Sequence, residues 1–155
     1  MKSNFLFPNH FKNVGWVLLG IGILAYAASF IIGQEPAFLN AKMFSIYSHG
    51  FMDKPRFFML IEDNVFMELI GVLSIVGALL VAFSKERFED EFIAKIRLES
   101  LVWAVFFNYF VLLFCMIFIY GMDFLIIMQF NMLTILLFFI ARFNYSLHKS
   151  KLKQE

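Results

Sequence analysis

Residues 101–141 read LVWAVFFNYFVLLFCMIFIYGMDFLIIMQFNMLTILLFFIA. They contain two apolar runs of about 20 residues, each long enough to cross a hydrocarbon layer of roughly 30 Å at about 1.5 Å per residue. Only Gly121 and its neighbours separate the two runs. This pattern predicts a tight helical hairpin inside a membrane, and the rest of the chain has to pack beside it.

The composition supports a membrane protein. Hydrophobic residues make up 61% of the 155-residue chain, whereas soluble domains usually contain about 45–50%. A soluble domain of this length could not bury so much apolar surface, so we expect lipid to cover much of it. The net charge of +1 gives no reason to expect a nucleic acid as a partner.

Two further apolar runs precede the hairpin, and no proline interrupts any of the four. We therefore predict an all-α, polytopic membrane protein with one domain, in which four transmembrane helices form an antiparallel bundle. The third helix is expected to extend into the cytoplasm as an amphipathic helix. The predicted spans are residues 14–32, 65–83, 101–120 and 122–141.

The first apolar run has a competing interpretation as a secretory signal peptide. Ala25, Tyr26 and Ala27 resemble a cleavage site with small residues on either side of one position. The run continues to residue 32 and so reaches spanning length, which favours a retained helix. Both alternatives stay open at this point.

Residues 33–64 are predicted to form an outer loop. Between Pro36 and Gly50, four apolar residues share one helical face, which favours a short helix in the membrane interface over an irregular loop. These residues are Leu39, Met43, Ile46 and Tyr47. We expect residues 57–61 to return the chain to the membrane, and Asp63 or Asn64 to cap the second span.

Residues 84–100, SKERFEDEFIAKIRLES, are the most charged part of the chain. Phe88, Phe92 and Ile96 repeat every four residues, which predicts an amphipathic helix that begins with Ser84 as its N-cap and continues into the third span. Its charges are expected to form either a solvated face or a docking site for a protein partner.

The distribution of Lys and Arg predicts the orientation. Ten lie in the N-terminal segment, residues 84–100 and the basic tail 142–155, and three lie in residues 33–64. Because cytoplasmic loops carry an excess of Lys and Arg, both termini and residues 84–100 are predicted to be cytoplasmic.

Small residues predict which helices approach most closely. Ala25, Ser29 and Gly33 are spaced four apart near the end of the first span, and the second span has the same spacing. We expect these stripes to form a close antiparallel pair. The stripe of the second span consists of Ser74, Ala78 and Ala82, with Gly71 and Gly77 beside it.

The last two spans carry polar side chains at membrane depth. Measured from Gly121 at about 1.5 Å per residue, Asn108 and Asn131 lie about 20 and 15 Å inward, within one helical turn of each other. Lipid offers amides no hydrogen bonds, so an Asn108–Asn131 bond is expected. The functional alternative is a polar patch that includes Gln129 and Thr134 and binds a headgroup, a small ligand or an ion.

Charged residues are expected at both boundaries. Glu68 and Asp123 belong near the outer surface, where each favours its own helix N-terminus, or where together they bind a cation or relay protons. Glu99 and Arg142 lie about 30–33 Å from Gly121 by the same measure and are expected to form a cytoplasmic ion pair.

No catalytic, cofactor-binding or metal-binding set is predicted. The chain lacks G-x-x-x-x-G-K-[ST], H-E-x-x-H and G-x-S-x-G motifs, which argues against an enzyme. All three histidines lie outside the apolar runs, so no histidine-ligated haem is expected between them. His49 and Asp53 have metal-ligand spacing, but no third ligand is nearby.

EDEFIAKIRLES (89–100) and FNMLTILLFFIARFNY (130–145) are similar to uncharacterised small bacterial four-helix membrane proteins, which carry an acidic amphipathic helix in the middle cytoplasmic loop. The resemblance covers roughly the second half of the chain. It implies residence in the bacterial inner membrane and carries no activity with it.

The expected function is a non-enzymatic accessory, sensing or binding subunit. Its expected partners are the lipid bilayer, a protein docked on residues 84–100, or further copies of the chain. A small oligomeric channel or transporter is the alternative, with a polar path lined by Asn108, Gln129 and Asn131.

Overall fold

A computed structural model describes residues 6–32, 39–48, 56–86 and 90–151. Within these residues the chain forms four helices and a two-stranded antiparallel sheet. The elements in chain order are α1 (His10–Ile32), β1 (Asn40–Ser48), β2 (Arg56–Asn64), α2 (Phe66–Ala82), α3 (Glu91–Phe118) and α4 (Met122–Lys151).

The expectation of a mostly helical chain is confirmed. Three helices, α1, α3 and α4, are long and apolar enough to cross a membrane, and α2 is a shorter apolar helix of 17 residues. The helix that contains the third span runs without a break from Glu91 to Phe118, as its amphipathic pattern predicts. The fourth helix continues through the basic tail to Lys151.

The prediction of an interfacial helix between the first two spans is wrong. Residues 40–48 instead form β1 and pair with β2 in a register that runs from Asn40 opposite Asn64 to Ser48 opposite Arg56. The residues expected to lead back to the membrane, 57–61, belong to β2. Aromatic and β-branched residues favour strands when a partner strand is present. Helical spacing of apolar residues within one segment gives no information about a partner strand elsewhere in the chain.

The N-cap of α2 is Val65, which makes no side-chain cap hydrogen bond, rather than the expected Asp63 or Asn64. Asn64 still contacts the first turn: its side-chain oxygen accepts a hydrogen bond from the Phe66 N–H at 3.0 Å, and its side-chain amide donates to Asn40 Oδ1 across the sheet at 3.0 Å. The Val65 N–H also donates to the Leu39 carbonyl at 3.2 Å. The β1–β2 hairpin is therefore joined directly to the first turn of α2.

The expected start of the charged helix is also wrong. Asp90 is the N-cap of α3, and its carboxylate accepts from the Ile93 N–H at 2.8 Å. Ser84 belongs to the preceding connection, where its hydroxyl donates to the Leu80 carbonyl at the end of α2. Because the Ser84 hydroxyl bonds to this carbonyl, it does not cap α3.

Gly121 makes the turn between α3 and α4, as expected. Its φ of 78° lies in the left-handed region, which glycine adopts without the steric cost that other residues incur. The Ile119 N–H still donates to the Cys115 carbonyl at 2.8 Å, so α3 stays hydrogen-bonded up to the turn.

α1 and α2 approach closely, and their contacts run in opposite order along the two helices. A Cβ added to Gly77 would lie 2.5 Å from the Leu19 nitrogen, and one added to Gly15 would lie 2.8 Å from the Gly77 carbonyl oxygen. Gly22 faces Ser74 so closely that a Cβ would overlap the Ser74 hydroxyl. At Gly15 and Gly77 glycine is needed because backbone lies against backbone, and at Gly22 because the Ser74 side chain fills the space of a Cβ.

The small-residue stripes are only partly those expected. Ser74, Ala78 and Ala82 are buried on α2. On α1 the closest approaches fall at Gly15 and Gly22, while Ala25 is half-buried and Gly33 lies outside the described residues.

The buried apolar core lies at one end of the molecule, where α1 and α3 begin and α2 and α4 end. We call this end the core end. The opposite end holds the strands β1 and β2 and the Gly121 turn, and we call it the hairpin end. α2 contacts α4 as well as α1, and α3 contacts α4. The core consists of Leu19, Ala78, Val81, Ala82, Ile96, Ala104, Phe139, Ile140, Phe143 and Leu147.

Large apolar side chains cover the outside of the helices. Leu24 is 71% exposed, Ile31 83%, Phe106 76% and Met132 67%. A soluble protein rarely exposes continuous apolar surface on this scale.

The glycine contacts give the first prediction. Gly77→Ala and Gly22→Ala should each lower the unfolding free energy by about 1–3 kcal/mol, because the added methyl group overpacks the contact with the Leu19 backbone or with the Ser74 side chain. Gly71→Ala and Gly20→Ala are matched controls, since an added Cβ at either has no atom within 4 Å. These should be neutral or stabilising by up to about 1 kcal/mol, as alanine is the better helix former. Unfolding in mixed micelles, followed by circular dichroism, measures all four; equal losses would contradict the contact.

Candidate functional site

Three polar side chains form a cluster between α3 and α4. The Asn108 amide donates to Asn131 Oδ1 and the Asn131 amide donates to Asn108 Oδ1, both at 3.3 Å. Thr134 Oγ1 donates to Asn108 Oδ1 at 2.8 Å and lies 3.1 Å from the Asn131 carbonyl oxygen. The expected Asn108–Asn131 hydrogen bond is present, and Thr134 joins it.

Asn108 is only 2% exposed, and Asn131 and Thr134 are half-buried. Each amide gives and receives a hydrogen bond within the cluster, which satisfies polar groups that lipid would leave without partners. Gln129, also considered for this patch, is exposed on α4 and is not brought to the cluster. The cluster therefore fixes the register of two helices, and nothing in its geometry sets a side chain up for chemistry.

The core end holds a second polar arrangement around residues 83–86, which connect α2 to α3. Phe7 pairs with this connection as a parallel bridge: its N–H donates to the Phe83 carbonyl, and its carbonyl accepts from the Lys85 N–H, both at 2.9 Å. Lys12 and Glu86 form an ion pair at 2.5 Å, with each side chain 18% exposed. We call these contacts the clasp, since they tie Phe7 and the first turn of α1 to the α2–α3 connection.

Arg97 links the clasp to the other two helices. Its Nη2 donates to the Ser84 carbonyl at 3.2 Å, and its guanidinium carbon lies 5.1 Å from the centre of the Phe143 ring on α4. A guanidinium uses its flat face for an aromatic ring and its edge for hydrogen bonds. Arg97 therefore joins α3, α4 and the end of α2.

The charged face of α3 lies opposite these contacts. Glu91, Lys95 and Glu99 are exposed, while Ile96 and Ser100 are buried. The first turns of α3 are thus buried on one side and present charge on the other. The predicted apolar stripe is only partly buried: Ile96 is 8% exposed, Phe92 is 51% exposed, and Phe88 lies outside the described residues.

The expected Glu99–Arg142 ion pair is wrong. Glu99 Oε1 lies 4.0 Å from Lys95 Nζ, one turn earlier on the same helix. The guanidinium carbon of Arg142 lies 5.3 Å from the centre of the Trp103 ring. Similar depth along two helices did not determine which way each side chain points.

The two outer carboxylates are not brought together by anything that the structure describes. Glu68 is exposed in the first turn of α2, and the side chain of Asp123 lies outside the described residues, as do His49 and Asp53. Within the described part of the chain, no group of three His, Cys, Asp or Glu side chains could hold a metal ion.

Sequence analysis missed the clasp and the role of Trp103. Ser84 is 1% exposed and its contacts with Phe7 and Arg97 come from distant parts of the chain, so no local pattern marks them. Trp103 lies four residues before Phe107 on α3, and their rings stack at 5.0 Å. The spacing of four residues between Trp103 and Phe107 could have predicted this contact from the sequence.

Comparisons with protein-family models, with curated proteins and with solved structures found no match for this chain.

The cluster gives the second prediction. Asn108→Leu and Asn131→Leu should each lower the unfolding free energy by about 1–2 kcal/mol, because each leaves the other amide without its partner in an apolar setting. The double variant should lose little more than either single one, since both remove the same bonds. Gln129→Leu, which removes an exposed amide, should lose less than about 0.5 kcal/mol. Reversible unfolding in mixed micelles measures this cycle, and strictly additive losses would exclude a shared bond.

Proposed function

We propose that this chain is a non-enzymatic, four-span protein of the bacterial inner membrane, with both termini in the cytoplasm. It serves as an accessory, sensing or binding subunit that presents the charged face of α3 to a cytoplasmic protein. The observation that carries this proposal is the fixed position of that face: its buried side is anchored by Arg97 and Ile96, while its charges stay exposed.

The exposed apolar surface supports the membrane setting. At about 1.5 Å per residue, α3 and α4 are about 42 and 45 Å long, longer than a hydrocarbon core of roughly 30 Å. Their excess length falls at the core end, where α3 carries Glu91, Lys95 and Glu99. Both helices thus extend beyond the membrane as a packed pair on that side.

α2 is the shortest of the four proposed spans, and its surroundings support its assignment as a span. Its 17 residues cover about 25 Å, slightly less than the hydrocarbon core. It packs along α1, and the strands β1 and β2 join it directly at one end. A short helix held against a longer one reaches both interfaces with the help of its flanking residues.

The excess of Lys and Arg supports the orientation. Lys12, Lys85, Lys95 and Arg97 lie at the core end, together with the end of α4, and Lys42 lies in β1 at the hairpin end. By the positive-inside rule the core end is cytoplasmic.

A channel or transporter path is less well supported. Such a path requires Asn108 and Asn131 to face water, whereas Asn108 is 2% exposed and both amides are bonded to each other. Gln129 is exposed away from them.

Single cysteines test the orientation and the path together. In a Cys115→Ala background, Lys42→Cys should react with a membrane-impermeant maleimide on intact cells, and Lys149→Cys only in inverted vesicles. Thr134→Cys should stay unreactive in both until detergent unfolds the protein, because this half-buried position lies in the α3–α4 contact and the proposed membrane surrounds the rest of it. Labelling of Lys149→Cys from outside would contradict the orientation, and labelling of Thr134→Cys would favour the path.

Charge reversal tests the docking role. The variant Glu91→Lys, Lys95→Glu, Glu99→Lys keeps an i,i+4 pair but inverts the exposed face. It should reduce recovery of a protein that copurifies with the wild type in mild detergent by about tenfold, since inverted charges repel a complementary surface. The matched control, Lys42→Glu with Glu62→Lys, inverts the exposed hairpin ion pair and should leave recovery unchanged. Equal recovery from both variants would remove α3 as the docking site.

A further inference from the structure

Arg142 occupies a built position at the boundary of the proposed membrane. It lies on α4 about 31 Å from Gly121 at 1.5 Å per residue, close to the thickness of the hydrocarbon core. Its guanidinium carbon lies 5.3 Å from the centre of the Trp103 ring. Tryptophan is enriched at this depth, where its ring lies at the level of the lipid headgroups.

A ladder of aromatic rings holds Trp103 in place. Trp103 and Phe107 stack with ring centres 5.0 Å apart and planes 7° apart. Phe107 in turn meets the Phe138 ring edge to face at 5.0 Å. Because the ladder joins α3 to α4, the ring beneath Arg142 is fixed relative to the helix that carries the arginine.

The hydrogen-bond donors of Arg142 are available to a ligand. Its guanidinium carbon lies over the Trp103 ring, 5.3 Å from the ring centre, and a guanidinium carries five N–H donors in its plane. Within the part of the chain that the structure describes, no carboxylate forms an ion pair with Arg142, and its side chain donates no hydrogen bond to the protein. Glu99, the expected partner, pairs with Lys95.

The surroundings of these donors combine a polar side and an apolar side. Tyr145 follows Arg142 at i+3, so it shares the same helical face, and it is exposed. In the other direction, toward the hairpin end, Phe106 and Phe107 are exposed. An amphiphile with an anionic headgroup and a long apolar chain matches this order of groups.

We propose that Arg142, positioned by Trp103, binds the phosphate of an anionic phospholipid in the inner leaflet. The planar N–H fork of arginine fits two phosphate oxygens at once, which a lysine does not reproduce. The acyl chain lies along the exposed rings of Phe106 and Phe107. The inference rests on the proposed orientation for its leaflet and on the side-chain geometry for its ligand.

Fluorescence quenching of Trp103 tests the site. Trp16→Phe leaves Trp103 as the single tryptophan of the full-length chain. In detergent micelles at about 0.3 M salt, where distant charges are screened, we titrate phosphatidylglycerol with brominated acyl chains and expect saturable quenching. Arg142→Gln should raise the half-saturating concentration about tenfold, and Arg142→Lys severalfold, because each loses the charge-assisted fork.

Lys149→Gln is the matched control, with the same loss of charge on the same face and no ring contact. It should change the half-saturating concentration less than about twofold in this salt. Equal effects of Arg142→Gln and Lys149→Gln would reduce the interaction to general attraction and overturn the site. The Arg142→Lys variant keeps the charge, so it separates loss of the fork from loss of charge or fold.

Two further arms distinguish the source of the phosphate. Inorganic phosphate at the same concentration as the lipid should not reverse the quenching; full reversal would assign a small-anion site and overturn the lipid assignment. Brominated phosphatidylcholine should quench weakly and without response to Arg142→Gln; an equal response would overturn the preference for anionic lipid. Because a micelle has no inner side, this result is independent of the orientation that the cysteine labels test.

Discussion

The backbone contact between α1 and α2 is the constraint on which the remaining packing depends. In lipid the hydrophobic effect does not drive helices together, so close approach and polar contacts hold them. Gly15, Gly22 and Gly77 permit that approach, which brings Leu19 into the core beside Ala78. α2 then presents its other side to α4. A wider α1–α2 pair would open the core end, and the clasp could not connect residue 7 to residues 83–86.

The molecule divides its two kinds of interaction between two pairs of helices. α1 and α2 rely on small residues and near contact of their backbones. α3 and α4 carry bulky rings and rely on side chains: the Asn108–Asn131 pair within the apolar stretches and the aromatic contacts from Trp103 to Phe138 nearer the core end. Arg97 connects the two pairs, because it reaches the Ser84 carbonyl while it lies over the Phe143 ring. The charged turns of α3 are anchored by this contact, although they extend beyond the apolar part of the helix.

Features that depend on composition and helical spacing could be predicted from the sequence, and features that depend on distant partners could not. The apolar runs predicted helices, the Gly121 turn and the meeting of Asn108 with Asn131, since counting residues from one turn determines depth on both helices. The strands in residues 40–48 and 56–64 escaped prediction because a strand is defined by its partner. The local sequence predicts Ser84 as an N-cap, but its hydroxyl donates to the Leu80 carbonyl and its carbonyl accepts from Arg97.

The Glu99–Arg142 error shows what depth alone leaves open. Both residues lie at the expected level, yet Lys95 on the same helix reaches Glu99, and Trp103 lies under the Arg142 guanidinium. An exposed ion pair contributes only about 0–1 kcal/mol, so a stacked ring competes with a carboxylate for the same arginine. The competition has a consequence for the surface: a Glu99–Arg142 pair would neutralise the boundary between α3 and α4. Glu99 instead pairs with Lys95, and Arg142 keeps a positive charge on α4 that has no ion-pair partner among the described residues.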